Sequence, residues 1–228
     1  MRNGLVDPAD IERRLAAHGL IVRGGFHPEP ADNVPGAPGT LVLVGNAGPA
    51  MWSAFDAARA GYANHGNPLD AWVADAVGAV AERVGATPLY PFGGPPFLPF
   101  QRWARRAEPV HPSPLGVLIH PEYGLWHAYR GALAFAGMLD LPPADLRPSP
   151  CDSCADRPCL SACPVDAFDG ETYDVPACVA HIAGADRADC MGRGCAARRA
   201  CPVGRDYVYA PAQAAFHMDA FAAAQSGR

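Results

Sequence analysis

The sequence contains no lysine. All 18 basic residues are arginine, and 23 acidic residues outnumber them, which gives a formal net charge of −5 at pH 7. Because a nucleic-acid-binding surface is usually basic, this charge argues against binding to nucleic acid. No apolar run approaches the roughly 18 residues of a membrane span, and the polar start at residues 1–4 is unlike a secretory signal. We therefore expect a cytoplasmic protein that does not engage a membrane.

Cysteine is absent from the first 150 residues, and all eight cysteines lie between Cys151 and Cys201. Thiols in the cytoplasm stay reduced and disulfides are rare there, so a dense group of cysteines is interpreted first as a metal site. Three interpretations are open: iron–sulfur clusters, a zinc site, and free or disulfide-forming thiols. The spacing of the cysteines favours the first.

The spacing is close to that of bacterial ferredoxins. Cys151 begins a C-x2-C-x4-C-x3-C-P run, and a second group of cysteines ends in Cys201-Pro202. The bacterial ferredoxin run is C-x2-C-x2-C-x3-C-P. Zinc sites usually pair one C-x2-C with a second C-x2-C or with two histidines, and this chain has only one C-x2-C. The pattern therefore predicts two 4Fe–4S clusters with eight thiolate ligands, which are Cys151, Cys154, Cys159, Cys163, Cys178, Cys190, Cys195 and Cys201.

Helix caps and hydrophobic periodicity predict the elements before the cysteines. Asp7-Pro8 is an N-cap followed by proline, which indicates a short helix. Apolar residues at i, i+3, i+4 and i+7 predict a longer helix that begins after Asn67-Pro68 and reaches Val84. We also predict strands at 20–26, 40–44 and 115–119, one helix that begins at Pro49 and another that covers 101–107. The 126–137 segment is predicted to be a strand or a short helix, the proline-rich stretch at 88–99 to be irregular, and the tail after Val208 to be helical.

Two further motifs have ordinary interpretations. Gly45-Asn46-Ala47-Gly48 is interpreted as a βα turn rather than a phosphate-binding loop, because the usual glycine-rich phosphate patterns are absent. Arg198-Arg199 is interpreted as solvated surface charge, with guidance of an acidic redox partner as the alternative.

Four prolines between positions 142 and 150 indicate a boundary, so we expect domains at 1–148 and 149–228.

Two stretches before the cysteines resemble the CblC-type cobalamin-processing proteins. The first consists of Leu41–Val44, Gly48–Trp52 and Asn67–Asp70. The second is GVLIHPEYGLWHAYRG at 116–131, followed by LDLPP at 139–143. The resemblance covers about residues 38–150. It implies an α+β fold, specifically a nitroreductase-like α/β sandwich, with a cleft that in the family holds cobalamin with its lower ligand detached.

The same resemblance points to His120, Tyr123 and Trp126 as candidate cofactor-binding residues that face a corrinoid in the cleft. Each has a plainer alternative as a structural residue. In that alternative His120 ends a strand and forms its hydrogen bond with a backbone carbonyl group. Tyr123 and Trp126 would then be part of the core.

The cysteine module is similar to that of epoxyqueuosine reductases and reductive dehalogenases, which join two 4Fe–4S clusters to a related cobalamin-binding fold. This similarity implies a ferredoxin-like module with crossed ligation. The cysteine before proline ligates the other cluster in two-cluster ferredoxins as well. One cluster would be held by Cys151, Cys154, Cys159 and Cys201, and the other by Cys163, Cys178, Cys190 and Cys195.

These resemblances imply an iron–sulfur oxidoreductase similar to a cobalamin reductase. We expect an external protein to donate electrons, which pass through the two clusters to a corrinoid in the CblC-like cleft. The alternative is an electron-transfer protein without a corrinoid, whose CblC-like domain docks a partner or binds another ligand such as a flavin. A third hypothesis, an epoxyqueuosine reductase acting on tRNA, is disfavoured by the net charge of −5 and the absence of lysine.

Overall fold

The computed structural model describes residues 7–226. Its helices and strands, in chain order, are α1 (Pro8–Ala16), β1 (Ile21–Phe26), β2 (Thr40–Ala47), α2 (Ala50–Ala58), α3 (Pro68–Val84), β3 (Thr87–Leu89), α4 (Phe100–Ala107), β4 (His111–Pro112), β5 (Leu118–Ile119), β6 (His127–Phe135), α5 (Pro158–Ser161), α6 (Val175–Ala183), α7 (Ala188–Arg193), α8 (Ala196–Ala200) and α9 (Pro211–Ser226). Residues 1–4, on which the expectation of no secretory signal rests, lie outside the described part.

The chain forms two compact units. The first contains the described residues up to Pro109 together with 127–146, and the second contains 110–126 together with the described residues from Arg147 onward. The segment 110–126 therefore groups with the cysteines, although the resemblance to CblC-type proteins had placed it in the first domain. Domains at 1–148 and 149–228, in the sense of separately folding pieces, remain a prediction.

An antiparallel sheet with the strand order β1–β2–β6–β3 lies at the centre of the first unit. The two middle strands, β2 and β6, pair over their whole length, from Thr40 opposite Phe135 to Ala47 opposite His127. Residues 41–44 are each at most 4% exposed. Because successive side chains of a strand point to opposite faces, both faces of the sheet are covered at this point. The expected α+β class is confirmed at this level.

The helices of the first unit follow the predicted patterns. The Asp7 side chain accepts a hydrogen bond of 3.0 Å from the backbone N–H of Ala9 and so caps α1. Helix α3 packs against β3 and β6 and ends at Gly85, whose φ of 70° is the left-handed conformation that glycine adopts readily. The buried face of α3 contains every position of the predicted apolar stripe: Leu69, Trp72, Val73, Ala76, Val77, Val80 and Val84.

Three predictions of secondary structure need correction or refinement. The predicted βα turn begins later than expected, at Gly48-Pro49, because β2 continues through Ala47 after a register shift between Val44 and Gly45. Gly45 permits this pairing, since a Cβ atom there would overlap the carbonyl oxygen of Ala128. The predicted strand at 115–119 is reduced to β5, and the ambiguous 126–137 segment is strand β6.

A buried ion pair lies inside the first unit. The Arg23 side chain is fully buried, and its Nη2 and Nε atoms donate to the two carboxylate oxygens of Glu108 at 2.5 and 3.1 Å. The Tyr129 hydroxyl group also donates to Glu108. Burial raises the pKa of Glu108, and the charge of Arg23 opposes that shift. The carboxylate of Glu108 is therefore held in an apolar setting by the arginine, which links β1 to the end of α4.

Within residues 7–226, no helix combines the length and the apolar character that crossing a bilayer requires.

The Arg23–Glu108 pair yields the first testable prediction. Arg23→Leu should lower the free energy of unfolding by about 3–5 kcal/mol, because it removes the cationic partner of a buried carboxylate. Urea denaturation followed by circular dichroism measures this loss. The control is Arg59→Leu, since Arg59 is half-exposed and lies 4.0 Å from Asp56, and it should cost about 1 kcal/mol or less. Equal losses in the two variants would contradict a stabilising role of the buried pair.

Candidate metal centre

The cysteines of the second unit lie on short helices and turns. Helices α5 to α8 have between four and nine residues, which is too short for stability in isolation. Local caps support some of them; the Asp174 side chain accepts a hydrogen bond of 2.9 Å from the N–H of Ala177 at the start of α6. An apolar cluster built on Leu115, Ile119, Leu125, Phe168 and Ala197 packs against most of the thiols. The thiols are therefore presented by segments that depend on tertiary contacts.

Four of the thiols line one pocket of the second unit. They are Cys151, Cys154, Cys159 and Cys201. Most of the remaining wall is apolar, and it includes Ile119 and Val203. The pocket thus brings Cys201, which is distant in sequence, to the run that begins at Cys151. This is the group of four that the resemblance to two-cluster reductases implies.

The other four thiols form a second group. Burial raises the pKa of Cys178 most, and the neighbouring thiols of Cys163 and Cys190 raise it further. Burial likewise raises the pKa of Cys195, which interacts with Cys190 and Cys178. The pKa of Tyr173 is raised first by burial and also by its hydrogen bond to Cys178. Cys163, Cys178, Cys190 and Cys195 are therefore neighbours in the second unit.

The donor set of each group fits an iron–sulfur cluster. In the first group, burial raises the pKa values of Cys151, Cys159 and Cys201, and the other thiols of the group add to the increase. Four thiolates so close together repel one another, and a metal centre would compensate their charge. Four cysteine thiolates are the ligand set of a 4Fe–4S cluster. The two predicted groups of four thiols are therefore the same two groups that lie together in the structure, while ligation itself remains a prediction.

A backbone N–H group donates a hydrogen bond to one of the sulfur atoms. The N–H of Ala167 donates to Cys163 Sγ at 3.4 Å. Cys195 is the N-cap of α8, where the backbone N–H groups of Ala197 and Arg198 oppose the burial that raises its pKa. Hydrogen bonds to sulfur and burial are the two means by which a protein tunes the potential of an iron–sulfur cluster. The second unit supplies both.

All eight cysteines are free thiols in the structure. Within residues 7–226, no three His, Cys, Asp or Glu side chains converge as the ligands of one metal ion would. A four-iron cluster is bound differently, because each of its four thiolates ligates a different iron atom.

Two glycines hold Cys201 near the first run. Gly124, with φ of 57°, lies so close to the chain after Cys201 that a Cβ atom would overlap the carbonyl oxygen of Val203. Gly204, with φ of 73°, lies equally close to the carbonyl oxygen of Tyr123. These reciprocal contacts need glycine on both sides, for space and for the positive φ. Neither glycine belongs to a sequence pattern that predicts this contact.

The three candidate cofactor-binding residues all lie in the second unit. His120 is 4% exposed, its Nδ1 atom accepts hydrogen bonds of 3.1 and 3.2 Å from the N–H groups of Glu122 and Tyr123, and its ring stacks on that of Tyr123 at 4.2 Å. Trp126 is 2% exposed. His120 thus has internal partners, as in its plainer interpretation, and they include two backbone N–H groups. Whether these residues bind a cofactor remains a prediction.

Arg198 corrects another expectation. It is half-buried instead of being a solvated surface charge, and its Nε donates to the carbonyl oxygen of Leu125 at 3.0 Å. Its guanidinium group lies 4.6 Å from the ring centroids of both Trp126 and Tyr209. Arg198 therefore ties the 120–126 segment to α8, which carries Cys195 at its start. The adjacent Arg199 also has internal partners, since it donates to the carbonyl oxygen of Gly194.

The glycine contact yields the second prediction. Gly124→Ala should displace the backbone that carries Cys201 and reduce the iron content toward one cluster per chain. The matched control is Gly116→Ala, because Gly116 also has a positive φ but its Cβ atom would meet nothing within 4 Å. That control should lose about 1–2 kcal/mol of stability and keep its iron. Iron and sulfide analysis of anaerobically purified protein distinguishes the two variants, and loss of iron in both would show a general folding defect instead.

No protein-family model and no curated protein matches this sequence. Solved structures of epoxyqueuosine reductase are similar in fold. The structure from Streptococcus thermophilus aligns with a TM-score of 0.50 and 14% identity, and covers 86% of this chain and 66% of that chain. The structure from Bacillus subtilis gives 0.49 and 14% over 89% and 66%, and an epoxyqueuosine reductase with a tRNA stem loop gives 0.49 and 13% over the same shares. Over most of its length the chain thus has an α+β fold similar to that of epoxyqueuosine reductase. Its C-terminal region is helical and cysteine-rich, which is consistent with iron–sulfur binding, and the chain spans 66% of the length of those proteins.

Proposed function

We propose that the chain is an iron–sulfur redox protein that holds two 4Fe–4S clusters, one on each group of four thiols. The separation of eight cysteines into two groups of four is the observation that carries this proposal. Cys201 joins Cys151, Cys154 and Cys159 at one pocket. The crossed arrangement is the one used by two-cluster ferredoxins, in which a cysteine before proline serves the other cluster.

A bound 4Fe–4S cluster would supply reversible one-electron transfer. The residues of the second unit prepare two sites for it. The apolar cluster around Leu115, Ile119 and Phe168 packs against most of the cysteines. The N–H group of Ala167 stabilises negative charge on Cys163.

We propose a corrinoid as the electron acceptor, with an external protein as the donor. This finer proposal is supported by the resemblance of residues 38–150 to CblC-type proteins and by the fold similarity to epoxyqueuosine reductase. Reduction of a bound corrinoid would then release its upper ligand. The net charge of −5 disfavours tRNA as a substrate.

One observation favours the alternative, an electron-transfer protein without a corrinoid. His120 and Trp126 are almost fully buried in the second unit, where His120 accepts backbone hydrogen bonds and Trp126 lies against Arg198. Residues with these internal contacts have little surface left for a corrinoid.

The proposal predicts about eight iron atoms and eight acid-labile sulfides per chain in anaerobically purified protein. Metal analysis by mass spectrometry, with a sulfide assay, measures both. The protein should be brown and should lose its colour when iron is chelated. Zinc in place of iron, or iron without sulfide, would refute the cluster proposal.

Cobalamin binding separates the two candidate functions. Titration of the intact, cluster-loaded chain with cobalamin should shift the corrinoid spectrum to the base-off form if the first candidate is right. The same titration after iron chelation shows whether binding needs the clusters. An unchanged corrinoid spectrum at high micromolar cobalamin, in protein with a full complement of iron, would support the alternative.

A further inference from the structure

A tyrosine hydroxyl group lies beside one thiol of the second group. Tyr173 and Cys178 line the same cavity of the second unit, and both pack against the apolar cluster built on Leu115 and Phe168. The hydroxyl group and the thiol group are hydrogen-bond partners, and this interaction opposes the rise that burial causes in the pKa of Cys178. Cys178 therefore has a polar side-chain partner that is not a cysteine.

The ring of Tyr173 is fixed by two other aromatic rings. Phe168 stacks on it at 4.5 Å, with an angle of 12° between the ring planes, and the backbones of the two residues form an antiparallel bridge. Phe221 lies 6.5 Å from the same ring. Stacked aromatic pairs favour one relative orientation of the rings. Phenylalanine at position 173 would keep these ring contacts and lose only the hydroxyl group.

The backbone next to Tyr173 leads to two of the four thiols. The N–H group of Asp174 donates to the carbonyl oxygen of Ala167 at 2.8 Å, and the N–H group of Ala167 donates to Cys163 Sγ at 3.4 Å. The N–H group of Cys178 donates to the carbonyl oxygen of Asp174 at 3.2 Å. The hydroxyl group is thus held by a local structure that also carries Cys163 and Cys178.

In this pair the tyrosine is the donor once the cysteine ligates iron. A phenol with an ordinary pKa of about 10 is protonated at neutral pH. A cysteine binds metal as the thiolate, which has no proton to donate. The hydroxyl group of Tyr173 would therefore donate to Cys178 Sγ.

A hydrogen bond to a ligand sulfur affects the two oxidation states of a cluster unequally. Reduction adds an electron to a cluster that its four thiolates already make anionic. The donor stabilises the more negative, reduced state more strongly, because a hydrogen bond strengthens with the charge on its acceptor. Such a bond therefore raises the reduction potential of the cluster.

We propose that Tyr173 is a positioning residue of the second cluster, which acts through Cys178 by donating a hydrogen bond to its sulfur atom and raises the reduction potential of that cluster. Tyr173 would then set which electron donors can reduce it. The inference rests on the proposed function, because it assigns Tyr173 a role toward one of the two clusters.

Redox titration of the intact protein, followed by electron paramagnetic resonance, tests the proposal. The signal of the second cluster is the one that Cys178→Ser alters. In Tyr173→Phe, the ratio of reduced to oxidised second cluster at a fixed potential should fall about fivefold, the effect of one lost hydrogen bond. At about 59 mV per tenfold change, its midpoint should be about 40 mV lower. The midpoint of the first cluster and the iron content should stay constant.

Tyr207→Phe is the matched control, because it removes one hydroxyl group from the same unit. The hydroxyl group of Tyr207 donates to Glu122 Oε1 at 2.6 Å instead of to a thiol. Both midpoints should therefore be those of the parent protein. Pulsed electron paramagnetic resonance after exchange into D2O gives an independent readout: Tyr173→Phe should weaken the coupling of exchangeable deuterons to the second cluster, and Tyr207→Phe should not.

Three outcomes would overturn the proposal: an unchanged midpoint of the second cluster in Tyr173→Phe, an equal shift in Tyr207→Phe, or loss of the second cluster in Tyr173→Phe, which would give the hydroxyl group a structural role instead. Failure of the proposed function has a different signature. Protein without iron and sulfide would refute the clusters and this inference together. Protein with eight iron atoms and an unchanged midpoint in Tyr173→Phe would refute this inference alone.

Discussion

The second unit depends on bringing Cys201 back to the run that begins at Cys151. The helices that carry most of the cysteines, α5 to α8, cannot hold this arrangement alone, because helices of nine residues or fewer are not stable in isolation. The close backbone contact between Gly124 and Gly204 supplies one constraint, and the apolar cluster supplies another. Both involve the 110–126 segment, which explains why that segment groups with the cysteines rather than with the sheet that precedes and follows it in sequence.

Much of the first unit could be predicted because its signals are local. The apolar stripe of α3 and the Asp7 cap of α1 each lie within one continuous stretch of chain. The error at Gly45–Ala47 has a non-local cause. Those residues look like a turn, but pairing with β6, some eighty positions later, keeps them in the strand.

In the candidate site, too, local patterns could be predicted and long-range contacts could not. The ligand types and their crossed grouping follow from spacing and resemblance, and the structure brings the same thiols together. The roles of Gly124 and Arg198 could not be predicted, because each depends on a contact with a segment more than seventy residues away. His120 illustrates a further limit: a histidine before proline at a strand end suits a ligand or a buried structural residue equally well, and the backbone hydrogen bonds that it accepts could not be predicted from that pattern.

The central claim is that two clusters are ligated in a crossed manner, and paired cysteine variants test it most directly. Electron paramagnetic resonance of the reduced protein should show a separate signal for each cluster. Cys201→Ser should alter the signal that Cys151→Ser alters, and Cys163→Ser should alter the signal that Cys178→Ser alters. If Cys163→Ser instead removes the signal that depends on Cys151 and spares the other, each cysteine run closes its own cluster, and the account is contradicted.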